Sequence, residues 1–440
     1  MTSERSKNRR FLFLLLAICA GSAVFRMGYV AVAKANQPLL GDQIYYSAQA
    51  QTIADGRWFD EPLQPGKPAA DHPPLTALMM TPAALVAPGS IMAQRYLMAL
   101  YGAGVVALIG LLGRQVAGRR VGIFAAVLAA AYPGFWVNDA LIMSETITAA
   151  TLALAMIMSY RFADRATWRR ALWMGAATGL AVLARAELVL LLPFVIVPLA
   201  WWARSSGVRQ SPRNRVGLGA VALAAALIVQ MPWVTYNLTR FDDPVVFSTN
   251  DGLTWIGANC ENTYSGGGIG FWSLQCGLDG LASAPIDADQ SVRSSYLRAI
   301  GTSYVRSHLD RVPAVVVARL ARGIGFWNPD QMVYLNRGEG REGKVSWAAI
   351  YAYWALIPFA LAGAILLRRR RTLIWPLVAL VAISVAVIAA FYGIARFRLP
   401  AELAVVIFAS VTFSRLFSAV VSRGAFKNVA KSSSTREPTS

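Results

Sequence analysis

Apolar runs of about 20 residues recur along the whole chain and alternate with shorter polar segments. A helix of that length crosses the roughly 30 Å hydrocarbon layer of a bilayer. The pattern therefore predicts an all-α polytopic membrane protein with about ten spans. The predicted spans cover residues 11–33, 92–113, 121–137, 141–160, 171–184, 188–202, 216–236, 347–367, 373–393 and 399–420.

Two apolar segments differ from an ordinary span. The basic leader 1–10 before the first run resembles a signal peptide. Because the run is long and no small-residue cleavage site closes it, we expect an uncleaved first span. The run 75–86 is too short to cross the bilayer comfortably, which favours an interfacial helix.

Clusters of basic residues separate alternate runs, at 9–10, 114–120, 161–170, 204–215, 368–371 and in the tail after Arg415. Cytoplasmic loops of membrane proteins carry an excess of Lys and Arg. An N-terminus inside the cell puts all of these clusters on the cytoplasmic side. The sequence therefore predicts a plasma-membrane protein with both termini cytoplasmic and two large external loops, 34–91 and 237–346.

Composition supports the membrane interpretation. Hydrophobic residues make up 56% of the chain and charged residues 15%, which excludes an ordinary soluble protein. A net charge of +19 would suggest nucleic acid as the partner of a soluble domain. Here the basic residues follow the topology, so we exclude nucleic acid and expect the lipid bilayer as the partner.

The predicted organisation has four parts. Residues 1–236 form an N-terminal membrane module that includes the first external loop, 34–91, as the catalytic loop. Residues 237–346 form an external region with interfacial helices, 347–424 the C-terminal spans, and 425–440 a disordered cytoplasmic tail. Cys260 and Cys276 share the external region, where both a disulfide and two unpaired thiols fit the spacing.

Ionisable residues collect at the predicted external ends of the spans. Such groups are costly near membrane depth unless they are paired or face a cavity, so they are candidates for function. Simpler roles exist, because Asp139 fits a helix cap and Arg185 and Glu187 fit a structural pair. The candidates are Asp42, Asp139, Glu145, Arg185, Glu187, Arg396 and Arg398.

Carboxylates and arginines together suit one kind of chemistry. A carboxylate can take the proton of an acceptor hydroxyl or amine, and arginines can hold a phosphate leaving group. The chain lacks a G-x-x-x-x-G-K-[ST] loop, a G-x-S-x-G elbow and an H-E-x-x-H helix. Two histidines and three cysteines argue against a His/Cys metal site, whereas a divalent cation bound by carboxylates stays open as a cofactor.

The order of several motifs resembles the GT-C glycosyltransferases, specifically the protein mannosyltransferase and aminoarabinose transferase group, glycosyltransferase family 39. Each motif is short, but all occur in the order of the family and with its topology. They are GDQIYYSAQAQTIADGRWF from Gly41, DHPPL at 71–75, NDALIMSETI at 138–147, Arg185-Ala186-Glu187, PWVTYNLTRFDDP from Pro232 and GIARFRLPAE at 393–402.

The resemblance implies a GT-C helical bundle with interfacial helices in the first external loop. It implies a polyprenyl-phosphate-linked sugar donor, used on the external face. Asp42 would be the general base, and the family often has Asp-Glu where this chain has Asp42-Gln43. Either Asp139 or Glu145 would be a second acid.

The resemblance also implies how the substrates are held. Arg185, Arg396 and Arg398 would hold the donor phosphate, and His72, Asp71 and Glu187 would line the substrate pocket. The acceptor, an envelope protein, a glycolipid or a wall polysaccharide, stays open.

Two other classes of protein fit the composition. A transporter or flippase of a lipid-linked or anionic solute would also carry intramembrane charges. Against it, the chain has no evident internal repeat and its charges gather at one face. A noncatalytic scaffold for envelope assembly would tolerate alanine at Asp42, Arg185 and Arg398.

Overall fold

The computed structural model describes residues 2–205, 207–285 and 287–434, and these residues are almost entirely helical. In chain order the α-helices are α1 (Thr2–Ala33), α2 (Asp42–Ala54), α3 (Leu75–Val86), α4 (Ile91–Ala117), α5 (Arg119–Ala131), α6 (Pro133–Trp136), α7 (Ser144–Asp164), α8 (Trp168–Ala184), α9 (Val197–Trp201), α10 (Pro212–Arg240), α11 (Asp251–Ala258), α12 (Glu261–Tyr264), α13 (Leu274–Ala282), α14 (Gln290–Ser307), α15 (Val312–Ile324), α16 (Pro329–Gly338), α17 (Gly343–Arg369), α18 (Trp375–Ala390) and α19 (Leu399–Ser434). The predicted all-α class is confirmed.

Shorter elements connect these helices. Strands β1 (Arg204–Ser205) and β2 (Val208–Arg209) form an antiparallel hairpin between α9 and α10. The 3-10 helices are Asn138–Ala140, Ala186–Leu190, Gly266–Gly268 and Ala395–Arg398, and Leu192–Ile196 is a π-helix.

Fewer helices than predicted meet the length and hydropathy of a span. Six do so among the described residues, in α1, α4, α7, α10, α17 and α19, and α5 with Pro133–Ala140 makes a seventh if a pair bent by 56° is one span. The predicted spans 171–184 and 373–393 correspond to α8 and α18, of 17 and 16 residues. At 1.5 Å per residue such helices are about 25 Å long, short of the roughly 30 Å layer.

The predicted span 188–202 is not a regular helix. It is built from the 3-10 helix Ala186–Leu190, the π-helix Leu192–Ile196 and the short α9. Pro193 and Pro198 explain the breaks, because proline donates no backbone hydrogen bond and clashes with the preceding turn.

The interior of the bundle is closely packed. Leu112, Leu152, Leu380 and Ile407 are fully buried in one apolar core. Helices α8 and α10 cross in backbone contact, because a Cβ placed on Gly175 would lie 2.0 Å from the carbonyl oxygen of Ala222. A larger residue at Gly175 would therefore force these two helices apart.

The N-terminus and several basic clusters share one end of the bundle, here called the basic end. Arg114 and Arg119 donate to the Asn8 side chain at 3.1 and 2.9 Å, and Arg119 also pairs with Glu4. At the same end, Arg120 donates to the Ser418 hydroxyl at 3.1 Å. The N-terminal segment and these basic residues therefore lie together at one end of the bundle.

The opposite end, here called the site end, carries the two large loops. The first contains α2 and α3, and α3 has the bounds of the predicted interfacial helix. The second contains α11 to α16, and Cys260 and Cys276 are joined there in a disulfide. At the C-terminus of the chain, α19 continues to Ser434. The sequence predicts a disordered tail from residue 425, and residues 435–440 of that tail lie outside the described part.

Two buried arginines of α15 attach the second loop to the bundle. Arg319 donates to the carbonyls of Ala389 and Ala390, at the last turn of α18, and to that of Ala258 at 2.7 Å. Arg322 donates to the carbonyls of Ile269 and Gly267. These bonds satisfy helix-end carbonyls and fix the loop beside the turn that leads to Arg396.

Candidate active site

Asp42 begins α2 at the site end. The preceding Gly41 has a φ of 58°, a left-handed conformation that glycine adopts without strain. The carboxylate lies at a helix N-terminus, where the helix dipole favours negative charge. Its Oδ2 is 2.8 Å from Nη1 of Arg396, and its Oδ1 is 3.8 Å from Nε2 of His72.

Arg396 is the centre of the charged cluster. Besides Asp42, its Nε is 2.8 Å from Oε1 of Glu145, and its Nη1 is 2.6 Å from Oε1 of Glu339. The 3-10 helix Ala395–Arg398 holds this side chain between the two loops. One guanidinium therefore contacts three carboxylates from distant parts of the chain. No cluster of three or more His, Cys, Asp or Glu in the described residues has metal-site geometry.

The two candidates for a second acid separate in space. Glu145, at the start of α7, joins the cluster around Arg396. Asp139 is buried away from that cluster, where its Oδ2 is 2.6 Å from Nε of Arg26 and its Oδ1 accepts from Thr146 at 2.6 Å. The geometry thus assigns Glu145 to the site and Asp139 to a pair inside the bundle.

Arg185 and Glu187 are both at the site. They pair with each other at 2.5 Å, as the structural interpretation of the sequence expects. Arg185 also reaches Oε1 of Glu145 at 3.4 Å, so it is part of the same charged cluster. The structural pair with Glu187 is therefore compatible with the predicted role of Arg185 in holding the donor phosphate.

Arg398 takes a different place from Arg396. Its Nε is 2.6 Å from Oε1 of Glu402, its Nη1 donates to the carbonyl of Gly323 at 3.1 Å, and its guanidinium lies 4.0 Å from the ring centroid of Tyr353. The side chain is buried inside the bundle. In this geometry it braces the turn that carries Arg396 and pairs with Glu402, whereas Arg396 pairs with Asp42.

His72 lies between two carboxylates. Its Nε2 is 3.5 Å from Oδ2 of Asp71 and 3.8 Å from Oδ1 of Asp42, and its ring stacks on Tyr46 with centroids 4.8 Å apart. Burial lowers the pKa of His72, but the two carboxylates outweigh it and raise the pKa above its usual value.

The two aspartates beside His72 have opposite shifts. Burial raises the pKa of Asp42, but the charges of Arg396 and His72 outweigh it and hold the pKa well below its usual range. Burial raises the pKa of Asp71, and His72 offsets only part of that rise. Asp42 is therefore ionised at any ordinary pH.

Sequence reasoning missed Glu339 and Arg341. Arg341 pairs with Glu339, donates to Oδ1 of Asn138 at 2.8 Å and lies 3.4 Å from Oε1 of Glu145. Both residues belong to the polar stretch NRGEGRE at 336–342, immediately before an apolar run. The signal that identifies them is the high charge density of this stretch at one end of an apolar run, which is the feature that also marks Asp42 and Arg396.

Gln43 fixes Glu339 through the backbone. The buried Gln43 amide donates to the Glu339 carbonyl at 2.9 Å, while its oxygen accepts from the Ile142 amide at 3.4 Å. Lys34 and Gln37 donate to the next carbonyl, that of Gly340, at 2.6 and 3.0 Å. The chain's departure from the Asp-Glu pattern thus has a structural reason, because a carboxylate at position 43 could not donate to a carbonyl.

We predict that Gln43→Glu destabilises the site. The variant loses one donor and places a buried carboxylate beside the Glu339 carbonyl, which costs about 2–4 kcal/mol when no partner compensates. The measurement is the unfolding midpoint of the purified protein. Gln51→Glu, in the same helix but with an exposed side-chain bond to Asp55, is the matched control and should stay close to wild type. Equal stability of the two variants would contradict the role given to Gln43.

Two cavities meet at Asp42 and Arg396. The larger, of about 930 Å³, lies toward the second loop and is lined by Asp71, Asn250, Trp272, Tyr334, Arg337 and Glu339 among others. The smaller, of about 480 Å³, lies toward the bundle and is lined by His72, Arg185 and an apolar wall from α18 and the segment around Leu190. A molecule in each cavity would reach the same carboxylate.

The helical architecture has counterparts among solved structures. It is similar to the oligosaccharyltransferase of Archaeoglobus fulgidus in the apo form, with 16% identity, a TM-score of 0.52 and coverage of 97% of this chain and 53% of that one. The same archaeal protein tethered to an acceptor peptide gives 18% identity, a TM-score of 0.54 and coverage of 97% and 52%. The chain thus spans about half the length of these proteins.

Sequence comparison finds a match over part of the chain. Residues 71–236 match the model of the dolichyl-phosphate-mannose-protein mannosyltransferase family. ArnT from Cupriavidus metallidurans bound to undecaprenyl phosphate is also similar, with 14% identity, a TM-score of 0.42 and coverage of 93% of this chain and 78% of that one. No curated protein matches the chain in sequence. The resemblance to GT-C glycosyltransferases that the motifs predict is confirmed by the family model and the fold.

Proposed function

We propose that the chain is a membrane glycosyltransferase that moves a sugar from a polyprenyl-phosphate-linked donor to an acceptor on the external face, with Asp42 as general base. The observation that carries the proposal is the position of Asp42 and Arg396 where the two cavities meet. A transferase needs such a junction, since donor and acceptor must meet at one base and one leaving-group site.

The smaller cavity suits the donor. Its apolar wall includes Ala386, Val387 and Ala390 of α18, which would contact the prenyl chain. Arg185, Arg396 and His72 line the same cavity and would hold the phosphate. Apolar and cationic surfaces side by side match a lipid that carries a phosphate head.

The larger cavity suits the acceptor, and the transfer is a single displacement. Asp42 takes the proton of the acceptor hydroxyl as its oxygen bonds to the anomeric carbon of the sugar. The bond from that carbon to the phosphate oxygen breaks, and polyprenyl phosphate leaves with the electron pair. Arg396 and Arg185 stabilise the charge that develops on the leaving oxygen.

Arg396 couples donor binding to the strength of the base. Without a ligand, Arg396 lowers the pKa of Asp42 and makes it a weak base. A donor phosphate would compete for the same guanidinium, which would raise the pKa of Asp42 toward its usual value. Glu145 and Glu339 would keep Arg396 in position during this exchange.

Two observations support the external side for the site. The disulfide Cys260–Cys276 belongs to the loop that walls the larger cavity, and disulfides persist in oxidising compartments. The basic clusters lie at the opposite end of the bundle from Asp42, where the positive-inside rule puts the cytoplasm.

The test uses the full chain in nanodiscs with radiolabelled polyprenyl-phosphate sugars of several kinds. We expect release of polyprenyl phosphate from one donor when envelope material is added, with the label passed to that material. Folded protein that releases none from any donor, but exchanges labelled donor across proteoliposome membranes, would reject the transferase in favour of a flippase.

We predict that donor binding weakens as pH rises through the pKa of His72, which lies above 6.5. Below this pKa the protonated ring adds a positive charge beside Arg396 and Arg185, and above it the charge is lost. The facing carboxylates of Asp42 and Asp71 stabilise the protonated form. The measurement is the donor KM between pH 6 and 9.

His72→Gln provides the comparison. This variant should show the high donor KM at every pH in that range, because no proton is lost. His308→Gln, at the end of α14, removes the other histidine of the chain and should keep the wild-type profile. An unchanged profile in His72→Gln would exclude His72 as the titrating group.

A further inference from the structure

Three polar groups without a protein partner line the larger cavity. The Asn250 side-chain amide, the Tyr334 hydroxyl and the Arg337 guanidinium all border it. Among the described residues, none of the three makes a side-chain hydrogen bond or an ion pair, in contrast to the densely paired charges around Arg396. These groups are available to a ligand.

The same cavity has aromatic walls. Phe271, Trp272 and Tyr392 line it beside Tyr334, and the rings of Trp272 and Tyr392 lie 6.1 Å apart. The Tyr334 side chain is largely exposed and has no aromatic partner in the described part of the chain. An exposed ring at a cavity rim offers an apolar face that a ligand can cover.

Resting on the function proposed above, we infer that the acceptor is a saccharide, either a polysaccharide or the glycan of a glycolipid. A sugar ring has apolar C–H faces and a rim of hydroxyl groups. The faces fit on aromatic rings, and the hydroxyls fit amide, phenol and guanidinium groups that lack a protein partner. At about 930 Å³, the cavity is at the upper end of the size of ligand pockets.

The arrangement along α16 leads the ligand toward the base. Tyr334 and Arg337 are three residues apart and lie on one face of the helix. Two residues further, Glu339 pairs with Arg396 next to Asp42. A chain of sugar rings along this face would present a hydroxyl of one ring to Asp42 while the next rings contact Tyr334 and Arg337.

A peptide acceptor fits the larger cavity less well than a saccharide does. Extended peptides are commonly bound by adding a strand to a sheet edge. In the described residues the sheet is the hairpin β1–β2, whose Arg204 carbonyl accepts from Ala166 in the loop between α7 and α8. No strand therefore borders the cavity within the described part of the chain.

The test follows the labelled sugar into fractions of the source cell envelope. The full chain in nanodiscs receives the donor together with a protease-treated polysaccharide fraction, an extracted glycolipid fraction, or a protein fraction whose glycans were destroyed by periodate. We expect label in one of the first two, and the fraction that takes it distinguishes the two sources of saccharide. Label in the periodate-treated protein would overturn the inference.

Donor cleavage separates this inference from the function on which it rests. Release of polyprenyl phosphate with no label in either saccharide fraction would overturn the saccharide acceptor and leave the transferase standing. No release with any fraction would reject both.

Variants test the surface itself. Tyr334→Ala should raise the KM for the labelled saccharide fraction about five- to tenfold, with the loss in KM and not in kcat, because the ring contributes binding area away from the reacting atoms. Tyr351→Ala, an exposed tyrosine of α17 outside the cavity, should match wild type. Equal KM values for the two variants would overturn the assignment.

Discussion

Asp42→Asn should abolish sugar transfer in a protein that still folds. The amide keeps the shape of the side chain but cannot accept the proton of the acceptor, and general base catalysis contributes about 10²–10⁴-fold to rate. Arg396 keeps Glu145 and Glu339 as partners in the variant, so the charged cluster remains paired. The measurement is polyprenyl phosphate release under saturating donor and acceptor.

Asp55→Asn is the matched control. It makes the same change just beyond the other end of α2, where Asp55 is exposed beside Arg57 at 3.6 Å. We expect wild-type turnover from this variant and an unchanged unfolding midpoint from both. Turnover of Asp42→Asn within a few-fold of wild type would reject Asp42 as the base while leaving the fold assignment intact.

Donor binding refines the interpretation of Asp42→Asn. If Asp42 acts only as a base, the variant should still bind the donor, and more tightly, because Arg396 is then released from one carboxylate. Loss of donor binding in Asp42→Asn would instead indicate that Asp42 helps to form the phosphate site. Equilibrium binding of the labelled donor to the inactive variant distinguishes the two roles.

Among the single substitutions proposed, Arg26→Met should give the largest decrease in the free energy of unfolding. The variant leaves Asp139, 3% exposed, without its cationic partner in the bundle interior. Breaking a buried ion pair by removing one member costs about 3–5 kcal/mol, because the remaining charge is uncompensated. The measurement is the unfolding midpoint in detergent, with Arg10→Met, an exposed arginine of the same helix, as the control.

A double variant tests whether the uncompensated charge of Asp139 causes the loss of stability. Arg26→Met combined with Asp139→Asn removes both charges and should recover most of the stability.

Turnover distinguishes the two acids. Asp139→Asn alone should keep turnover, whereas Glu145→Gln should lose it, since Glu145 contacts Arg396 and Asp139 does not. Equal loss of turnover in the two single variants would contradict the separation of the two acids.

The sequence by itself determined the class of fold. Apolar runs, basic clusters and ordered motifs are local features, and burial of long apolar helices in a bilayer depends little on their exact partners. The number of candidate spans was less well predicted. Proline breaks such as those at Pro193 and Pro198 shorten a helix without changing the apolar composition of its segment.

The sequence also singled out Asp42, His72, Arg185 and Arg396 as candidates, because charges at span ends are conspicuous, and the structure brings these four residues to one cavity. It could not choose between Asp139 and Glu145, which lie six residues apart on either side of a turn. Nor could it predict that Arg396 contacts Asp42 while Arg398 contacts Glu402. Side chains two residues apart on a 3-10 helix point in different directions, and the sequence does not show which one faces the site.

Tertiary structure alone decided which partners these residues have. Glu339 and Arg341 reach the site from a segment about 300 residues after Asp42, and Arg26 reaches Asp139 from the first helix. Such pairings depend on how distant helices cross, and no local pattern encodes that. The sequence therefore determines a helical membrane protein with a charged site, and the packing of its helices determines which charges form it.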